Sequence, residues 1–212
     1  MDVSIESLIL TRRSLHGVAE LLLAGPQWRH SQDIRLRPFP GGFATVTAPG
    51  LAVSDGLLVT EDGAAVGTLH GSTYLELADA AGVTAREPEG VYSDGSGADP
   101  SSRIHVDPAA AGRIAKAFAD GDAALRELAP AEEPILWPEH FDIGISLDEV
   151  NYGISPGDQH IPEPYAYVGP WRRPEGSFWN MAFGAARPLS ILPDAGRILD
   201  FLSEGRRRAT GG

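Results

Sequence analysis

The chain has 212 residues, a formal net charge of −12 and no cysteine. A chain of this length can bury a core without disulfides or a structural metal, and the missing cysteines exclude thiolate sites and fit the reducing cytoplasm, where we expect the protein. The acidic excess disfavours nucleic acid and anionic membrane as partners, because both bind clustered Lys and Arg.

The first predicted element is an amphipathic helix over residues 4–24. Its apolar residues recur at helical spacing, and Gly25 with Pro26 is typical of a helix end. No stretch of the sequence is long and apolar enough to span a bilayer. The apolar positions are Ile5, Leu8, Ile9, Leu15, Ala19, Leu22 and Leu23.

Short strands and a second helix follow. Alternation of apolar and polar residues predicts a β-hairpin with its loop at 40–42, and a second hairpin turn at 61–63. Thr73 and Glu76 have the spacing of a capping box, and Gly82 suits the C-terminal end of that short helix.

The middle of the chain predicts a loop, a helix and a seam. Residues 84–102 are rich in turn-forming residues and do not have the ligand spacing of a calcium-binding EF-hand. Asp107 as N-cap and Pro108 at the first helical position predict a helix to about Leu128, weakened near residue 120 by glycine. Composition and period change at 129–134, which is the best place for a domain boundary.

Strand-like sequence continues to about residue 183. A capped helix is predicted from Asp194 to about Glu204, and residues 206–212 are predicted to be a disordered tail. The fold class is therefore α+β, with a mostly antiparallel sheet and N-terminal, central and C-terminal helices. We expect one domain over residues 1–205, with a split near residue 130 as the alternative.

Residues 140–157 predict a β-hairpin with one apolar and one polar face. A two-residue turn at Asp148 and Glu149 sets Gly144 opposite Gly153. Because three glycines leave little side-chain bulk on the polar face, we expect something polar to cover it. The polar side chains of this face are His140, Asp142, Ser146, Asn151 and Ser155.

The segment SPGDQHIPEPY, residues 155–165, adds further polar groups at the rim of this face. Its three prolines and its glycine exclude a regular helix or a central strand. Histidine and carboxylate groups together bind divalent metals such as Zn, Mn or non-haem Fe, and they also serve general acid/base catalysis. We predict His140, Asp142 and Asp158 as catalytic residues. A divalent metal is the implied cofactor, with the ligands His140, Asp142, Asp158, His160 and Glu163.

Two other interpretations of the polar face stay open. In the first, the face is exposed to solvent, and its aspartates accept backbone hydrogen bonds in turns. In the second, aromatic residues stack on a small molecule such as a sugar or a nucleoside, although core packing would also explain most of them. The residues predicted for that binding site are Trp137, Tyr165 and Tyr167.

Residues 136–171 carry two motifs, WPxHFD and YGxSPGDxxxPEPYxYV. Through them the chain resembles, over about residues 133–183, a bacterial and largely actinobacterial family catalogued as a domain of unknown function. The resemblance implies no activity, because the family has no assigned reaction. It marks as matching positions Trp137, His140, Phe141, Asp142, Asp158, Glu163 and Tyr165.

These observations lead to two hypotheses of function. The first is a divalent-metal-dependent, hydrolase-like enzyme in which a carboxylate or histidine is the general base and the metal polarises water. The second is a non-catalytic module that binds a small molecule or a protein through the polar hairpin and the tyrosines. The sequence has no P-loop, dinucleotide fingerprint or G-x-S-x-G elbow, which disfavours ATP, dinucleotide and serine-hydrolase chemistry.

Overall fold

A computed structural model describes residues 3–172 and 175–211. The helices are α1 (Ile5–Val18), α2 (Gly25–Ser31), α3 (Tyr74–Ala81), α4 (Pro108–Leu128) and α5 (Ala195–Thr210), and a π-helical segment, Ala19–Ala24, joins α1 to α2. The strands are β1 (Leu36–Phe39), β2 (Gly42–Thr45), β3 (Leu51–Ser54), β4 (Leu57–Thr60), β5 (Ala65–Thr68), β6 (Ile135–Trp137), β7 (Asp142–Leu147), β8 (Val150–Ser155), β9 (Tyr165–Pro170) and β10 (Ala185–Pro188).

The chain divides into two compact units. The N-terminal unit comprises Met1–Lys116 and Leu136–Phe141, and the C-terminal unit comprises Ala117–Ile135 and Asp142–Gly212. Within the units the strands pair antiparallel, in the orders β6-β1-β2-β3-β4-β5 and β7-β8-β9-β10. The α+β prediction is confirmed. The boundaries between the units follow Lys116, Ile135 and Phe141, and the seam predicted at 129–134 lies within the C-terminal unit.

Both units bury apolar side chains from helices and strands. In the N-terminal unit these include Leu8, Leu22, Leu23, Phe43 and Leu58. In the C-terminal unit they include Ile143, Tyr152, Ile154, Ala166 and Leu202.

Local sequence signals predicted several elements correctly. Phe39 pairs with Gly42, so the first hairpin turns at residues 40–41. Thr73 and Glu76 form the reciprocal capping box of α3, which ends at Gly82 in the left-handed conformation. Residues 82–107, all of them described, contain no helix or strand.

Helix α4 begins at Pro108, as predicted, and continues to Leu128 without a break at residue 120. Gly121 lies against Ile154: a Cβ added to this glycine would be 2.9 Å from Cγ1 of that isoleucine. The glycine therefore serves close packing within the C-terminal unit, and this packing outweighs its low helix propensity.

The N-terminal helix was predicted to end at Gly25 and Pro26, and this prediction is wrong, because the chain stays helical through α2. In the π-helical segment the backbone N–H of Gly25 donates to the carbonyl of Glu20. This shift leaves the Leu21 carbonyl to an outside donor, the backbone N of Arg86, at 3.1 Å. Pro26, which has no N–H, lies where the regular hydrogen-bond ladder is already interrupted, so it does not end the helix.

Helix α5 extends to Thr210, so most of the predicted disordered tail is helical. Arg206 donates from Nη1 to the Leu128 carbonyl at 3.2 Å and from Nη2 to Asp148 Oδ2 at 3.4 Å. Gly211 then ends the helix with a φ of 74°. Contacts distant in sequence hold this basic segment, and local composition does not reveal them.

Candidate functional site

The predicted hairpin of β7 and β8 has the expected register. Gly144 lies opposite Gly153. Asp148 and Glu149 have φ values of 54° and 61°, as the two central residues of a type I′ turn require. The turn therefore forms in the absence of the preferred Asn-Gly sequence.

Tyr167 of β9 covers the glycine-rich face of this hairpin. A Cβ added to Gly153 would be 2.5 Å from the Tyr167 hydroxyl oxygen, and one added to Gly144 would be 3.1 Å from it. The hydroxyl donates a hydrogen bond to Oδ2 of Asp142, a side chain that is buried together with Ser155. A tyrosine from the neighbouring strand thus fills the glycine-rich part of the face, whereas Ser146 and Asn151 of the same face are exposed.

The side chain of Asp158 accepts three hydrogen bonds, two from the backbone of the proline-rich loop and one from Tyr165. Its Oδ2 accepts from the Tyr165 hydroxyl at 2.7 Å, and its Oδ1 accepts from the backbone N of His160 at 2.6 Å and of Ile161 at 2.7 Å. Burial acts to raise the pKa of Asp158, but these hydrogen bonds outweigh it and hold the pKa below its ordinary value. Burial and the neighbouring carboxylate raise the pKa of Tyr165, which keeps its hydroxyl a donor.

The structure does not bring the five predicted metal ligands together. His140 is exposed, with Nε2 3.9 Å from Oε1 of Glu139. The side chain of His160 is also exposed, and Glu163 is half-buried. Among the described residues no three His, Asp or Glu side chains are grouped so that they could hold a metal ion. Asp158 and Asp142 of the predicted set accept hydrogen bonds from the hydroxyls of Tyr165 and Tyr167, respectively.

The residues predicted to bind a small molecule are placed differently. Tyr165 and Tyr167 are the donors of these two hydrogen bonds, and Trp137 is half-buried on β6.

The WPxHFD motif packs around His16 of α1. The ring of Phe141 stacks on the His16 ring, with centroids 5.5 Å apart and an interplanar angle of 7°. Nε2 of His16 lies 2.7 Å from the carbonyl oxygen of Pro138. Because a carbonyl only accepts, Nε2 carries a proton. Phe141 has a φ of 53°, which a bulky residue adopts only where its surroundings impose it.

Acidification is expected to destabilise the N-terminal unit through His16. Burial lowers the pKa of His16 below its ordinary value of 6.5, although the Pro138 carbonyl and the Glu20 carboxylate act to raise it. The unfolded chain takes up this proton more readily, so the free energy of unfolding falls as the pH drops below about 6.5 and does not depend on this group at higher pH. His16→Gln keeps an N–H for the carbonyl but does not titrate.

Urea titrations at several pH values measure this effect. Between about pH 6.5 and 5, the free energy of unfolding of the wild type should fall more steeply than that of His16→Gln, by up to ~1.4 kcal/mol per pH unit. Comparing the two proteins cancels the other titrating groups, including Glu20, Glu139 and His140 near the ring. Equal slopes would contradict a neutral imidazole in the folded state.

A cavity of about 440 Å³ lies in the N-terminal unit between α1, His70 and the start of α4. We call it the histidine cleft. Its polar lining residues are Ser7, Thr11, His70, His105 and Asp107, and its apolar ones are Leu10, Val106 and Pro108. A second cavity of about 250 Å³ shares His70, Val106 and Pro108 with it. Concave, mostly apolar surfaces with a few polar groups are typical of small-molecule sites.

Three side chains hold the backbone of residues 105–107. The backbone N–H of His105 donates to Ser14 Oγ at 2.9 Å, and that of Val106 donates to His70 Nδ1 at 3.2 Å. The backbone N–H of Asp107 donates to Thr11 Oγ1 at 2.9 Å. Ser14 and Thr11 are buried and lie three residues apart, on one face of α1. Helix α1 thereby positions His105 and Asp107, the two polar residues of this segment that line the cleft.

The hydrogen bond from Val106 determines the tautomer of His70. Nδ1 accepts this bond and carries no proton, so the neutral ring has its proton on Nε2 and offers an N–H donor there. A histidine that binds a metal through Nε2 normally donates from Nδ1, so this arrangement does not suit a metal ligand. The ring of His105 lies edge-to-face with that of His70, with centroids 6.3 Å apart.

Neither histidine of the cleft is among the residues predicted from the sequence. The H-x-D spacing that singles out His140 also occurs in RIHVDP, where it places His105 two residues before Asp107. That repeated spacing is the signal that could have identified His105. His70 has no such local pattern, because its contact with Val106 spans 36 positions of the chain.

Comparisons with family models, with curated proteins and with solved structures find no match to this chain. The resemblance of residues 136–171 to a bacterial family therefore stays a prediction. Over the described ranges, no helix combines the length and the apolar character needed to cross a membrane.

Proposed function

We propose that this protein is a binding module for a small molecule and that the histidine cleft is its binding site. The strongest support is a hydrogen bond of 3.2 Å, in which the backbone N–H of Val106 donates to Nδ1 of His70. It leaves the Nε2–H of His70 as an oriented donor on a concave, largely apolar surface. Such a donor recognises a ligand with a hydrogen-bond acceptor, for example a carbonyl group.

The alternative hypothesis, a divalent-metal-dependent hydrolase on residues 140–163, has less support. Within the described part of the chain no group of three metal ligands occurs, and the tautomer of His70 does not favour a metal in the cleft either. The acidic net charge of −12 supports a small ligand over nucleic acid, and the lack of cysteine supports a cytoplasmic location.

His70→Asn is expected to weaken the binding of cyclohexanone, a probe with one carbonyl acceptor and an apolar ring. The side-chain oxygen of Asn takes roughly the place of Nδ1 and can still accept from Val106, whereas the Nε2–H donor is lost. Loss of one neutral hydrogen bond, about 1 kcal/mol, should raise the Kd about fivefold. NMR titration of ¹⁵N-labelled protein, followed at the Val106 amide and the imidazole rings, measures the Kd.

The matched control is His70→Gln, whose side-chain amide nitrogen lies near the position of Nε2. This variant keeps a donor for the probe and loses the acceptor for Val106, so it should bind cyclohexanone better than His70→Asn does. Equal Kd values for the wild type and His70→Asn would contradict the proposal.

A further inference from the structure

Asp107 adds a hydrogen-bond acceptor to the donor that His70 gives the histidine cleft. Its Oδ1 accepts from the backbone N of Ala110 at 2.8 Å, as the N-cap of α4. Its backbone N is held by Thr11 Oγ1 at 2.9 Å. Oδ2 accepts no hydrogen bond from any residue that the structure describes, and the side chain lines the cavity. One carboxylate oxygen is therefore structural, and the other is available to a ligand.

The charges around the cleft act against an anionic ligand. Of the described residues, no Lys or Arg lines the cleft or the adjoining cavity, and the charged lining groups are the carboxylates of Asp107 and Asp55. Anionic ligands are usually held by Arg, Lys or clustered backbone N–H groups. The net charge of −12 adds a long-range repulsion.

A purely cationic ligand would satisfy only one of the two polar groups of the cleft. It would pair with the carboxylate of Asp107, but an ammonium group has no acceptor for the Nε2–H of His70. A donor left unpaired beneath a ligand loses its hydrogen bond to water without a replacement, which opposes binding. The ligand that satisfies both groups carries one acceptor and one donor, and neither contact requires a net charge on the ligand.

From this pairing we infer that the ligand of the histidine cleft is a neutral cyclic amide, with its carbonyl on the His70 Nε2–H and its adjacent N–H on Asp107 Oδ2. This inference rests on the proposed function of the cleft. The apolar walls at Leu10, Val106 and Pro108 suit the ring of such a molecule, and a cavity of about 440 Å³ accepts one or two fused rings.

Four probes of similar size test the inference: δ-valerolactam, cyclohexanone, cyclopentanecarboxylate and piperidinium. NMR titrations of the wild-type protein give a Kd for each. The lactam should bind about tenfold more tightly than cyclohexanone, because it adds a hydrogen bond to a carboxylate. The anionic and cationic probes should bind more weakly than the lactam.

Asp107→Asn provides the matched variant. The Asn oxygen keeps the N-cap of α4, since Asn caps helices as well as Asp does, and its NH₂ group then replaces Oδ2 as a donor. The tenfold preference for the lactam over cyclohexanone should disappear, while cyclohexanone binding persists. Asp55→Asn, which removes a carboxylate of the adjoining cavity, should leave the preference unchanged.

The outcomes separate the two proposals. If cyclohexanone, the carboxylate or piperidinium binds as tightly as the lactam, or if Asp107→Asn keeps the preference, the cyclic-amide inference is overturned and the binding function of the cleft stands. If none of the four probes gives a saturable shift at the residues of the cleft, both are overturned.

Discussion

Replacing Gly25 by alanine is expected to destabilise the N-terminal unit by about 4 kcal/mol or more, a large part of the usual stability of a domain. A Cβ at this position would be 1.6 Å from the backbone carbonyl oxygen of Arg86. That carbonyl cannot move independently, because the N–H of the same residue donates to the Leu21 carbonyl at 3.1 Å. The alanine must therefore break this docking or distort the π-helical segment.

Gly112→Ala is the control for this substitution. Gly112 also lies in a helix, and a Cβ added there has no neighbour within 4 Å. This variant should be more stable than the wild type by about 0.5–1 kcal/mol, through helix propensity alone. Urea titrations followed by far-UV circular dichroism measure both changes. A loss of less than about 1 kcal/mol for Gly25→Ala would contradict the close approach of Arg86.

Gly153→Ala is expected to destabilise the C-terminal unit by about 2–4 kcal/mol. The added Cβ would be 2.5 Å from the backbone oxygen of Ile143 and 2.5 Å from the Tyr167 hydroxyl oxygen. The hydroxyl is not free to move, because it donates a hydrogen bond to the buried carboxylate of Asp142. The alanine must displace either the β7–β8 pairing or the tyrosine that covers it.

The matched control is Gly169→Ala on the neighbouring strand β9. Its added Cβ would have its nearest contact, the Phe183 carbonyl oxygen, at 3.6 Å, an ordinary van der Waals distance. This variant should change the free energy of unfolding by less than about 1 kcal/mol. Near-UV circular dichroism should show a changed tyrosine environment for Gly153→Ala alone. Equal losses in the two variants would mean that Tyr167 does not lie over Gly153.

Local sequence signals were sufficient for elements whose cause lies within a few residues. The capping box of Thr73 and Glu76 and the N-cap at Asp107 satisfy backbone N–H groups three residues away, so their spacing predicts the helix starts. The β7–β8 register follows from the alternation of apolar residues on either side of a two-residue turn. These interactions leave the same pattern in the sequence wherever they occur.

Predictions of what the polar residues do were less successful. The sequence predicts Asp142 and Asp158 as members of one catalytic or metal site, whereas in the structure they accept hydrogen bonds from the hydroxyls of Tyr167 and Tyr165. Each aspartate has several residue types as suitable partners, and composition alone does not choose among them. The choice depends on which strand packs next to the loop.

The sequence by itself determined the α+β class, most helix starts and the hairpin register, because those depend on hydrogen bonds and periodicity between near neighbours. Only the tertiary structure decided that the chain stays helical past Pro26, since the carbonyl released there meets Arg86, 65 positions further on (86 − 21). The tertiary structure also forms the histidine cleft, in which His70 accepts a hydrogen bond from the Val106 N–H and side chains of α1 accept from the N–H groups of residues 105 and 107. Contacts across such separations depend on how whole elements pack, and no short pattern encodes them.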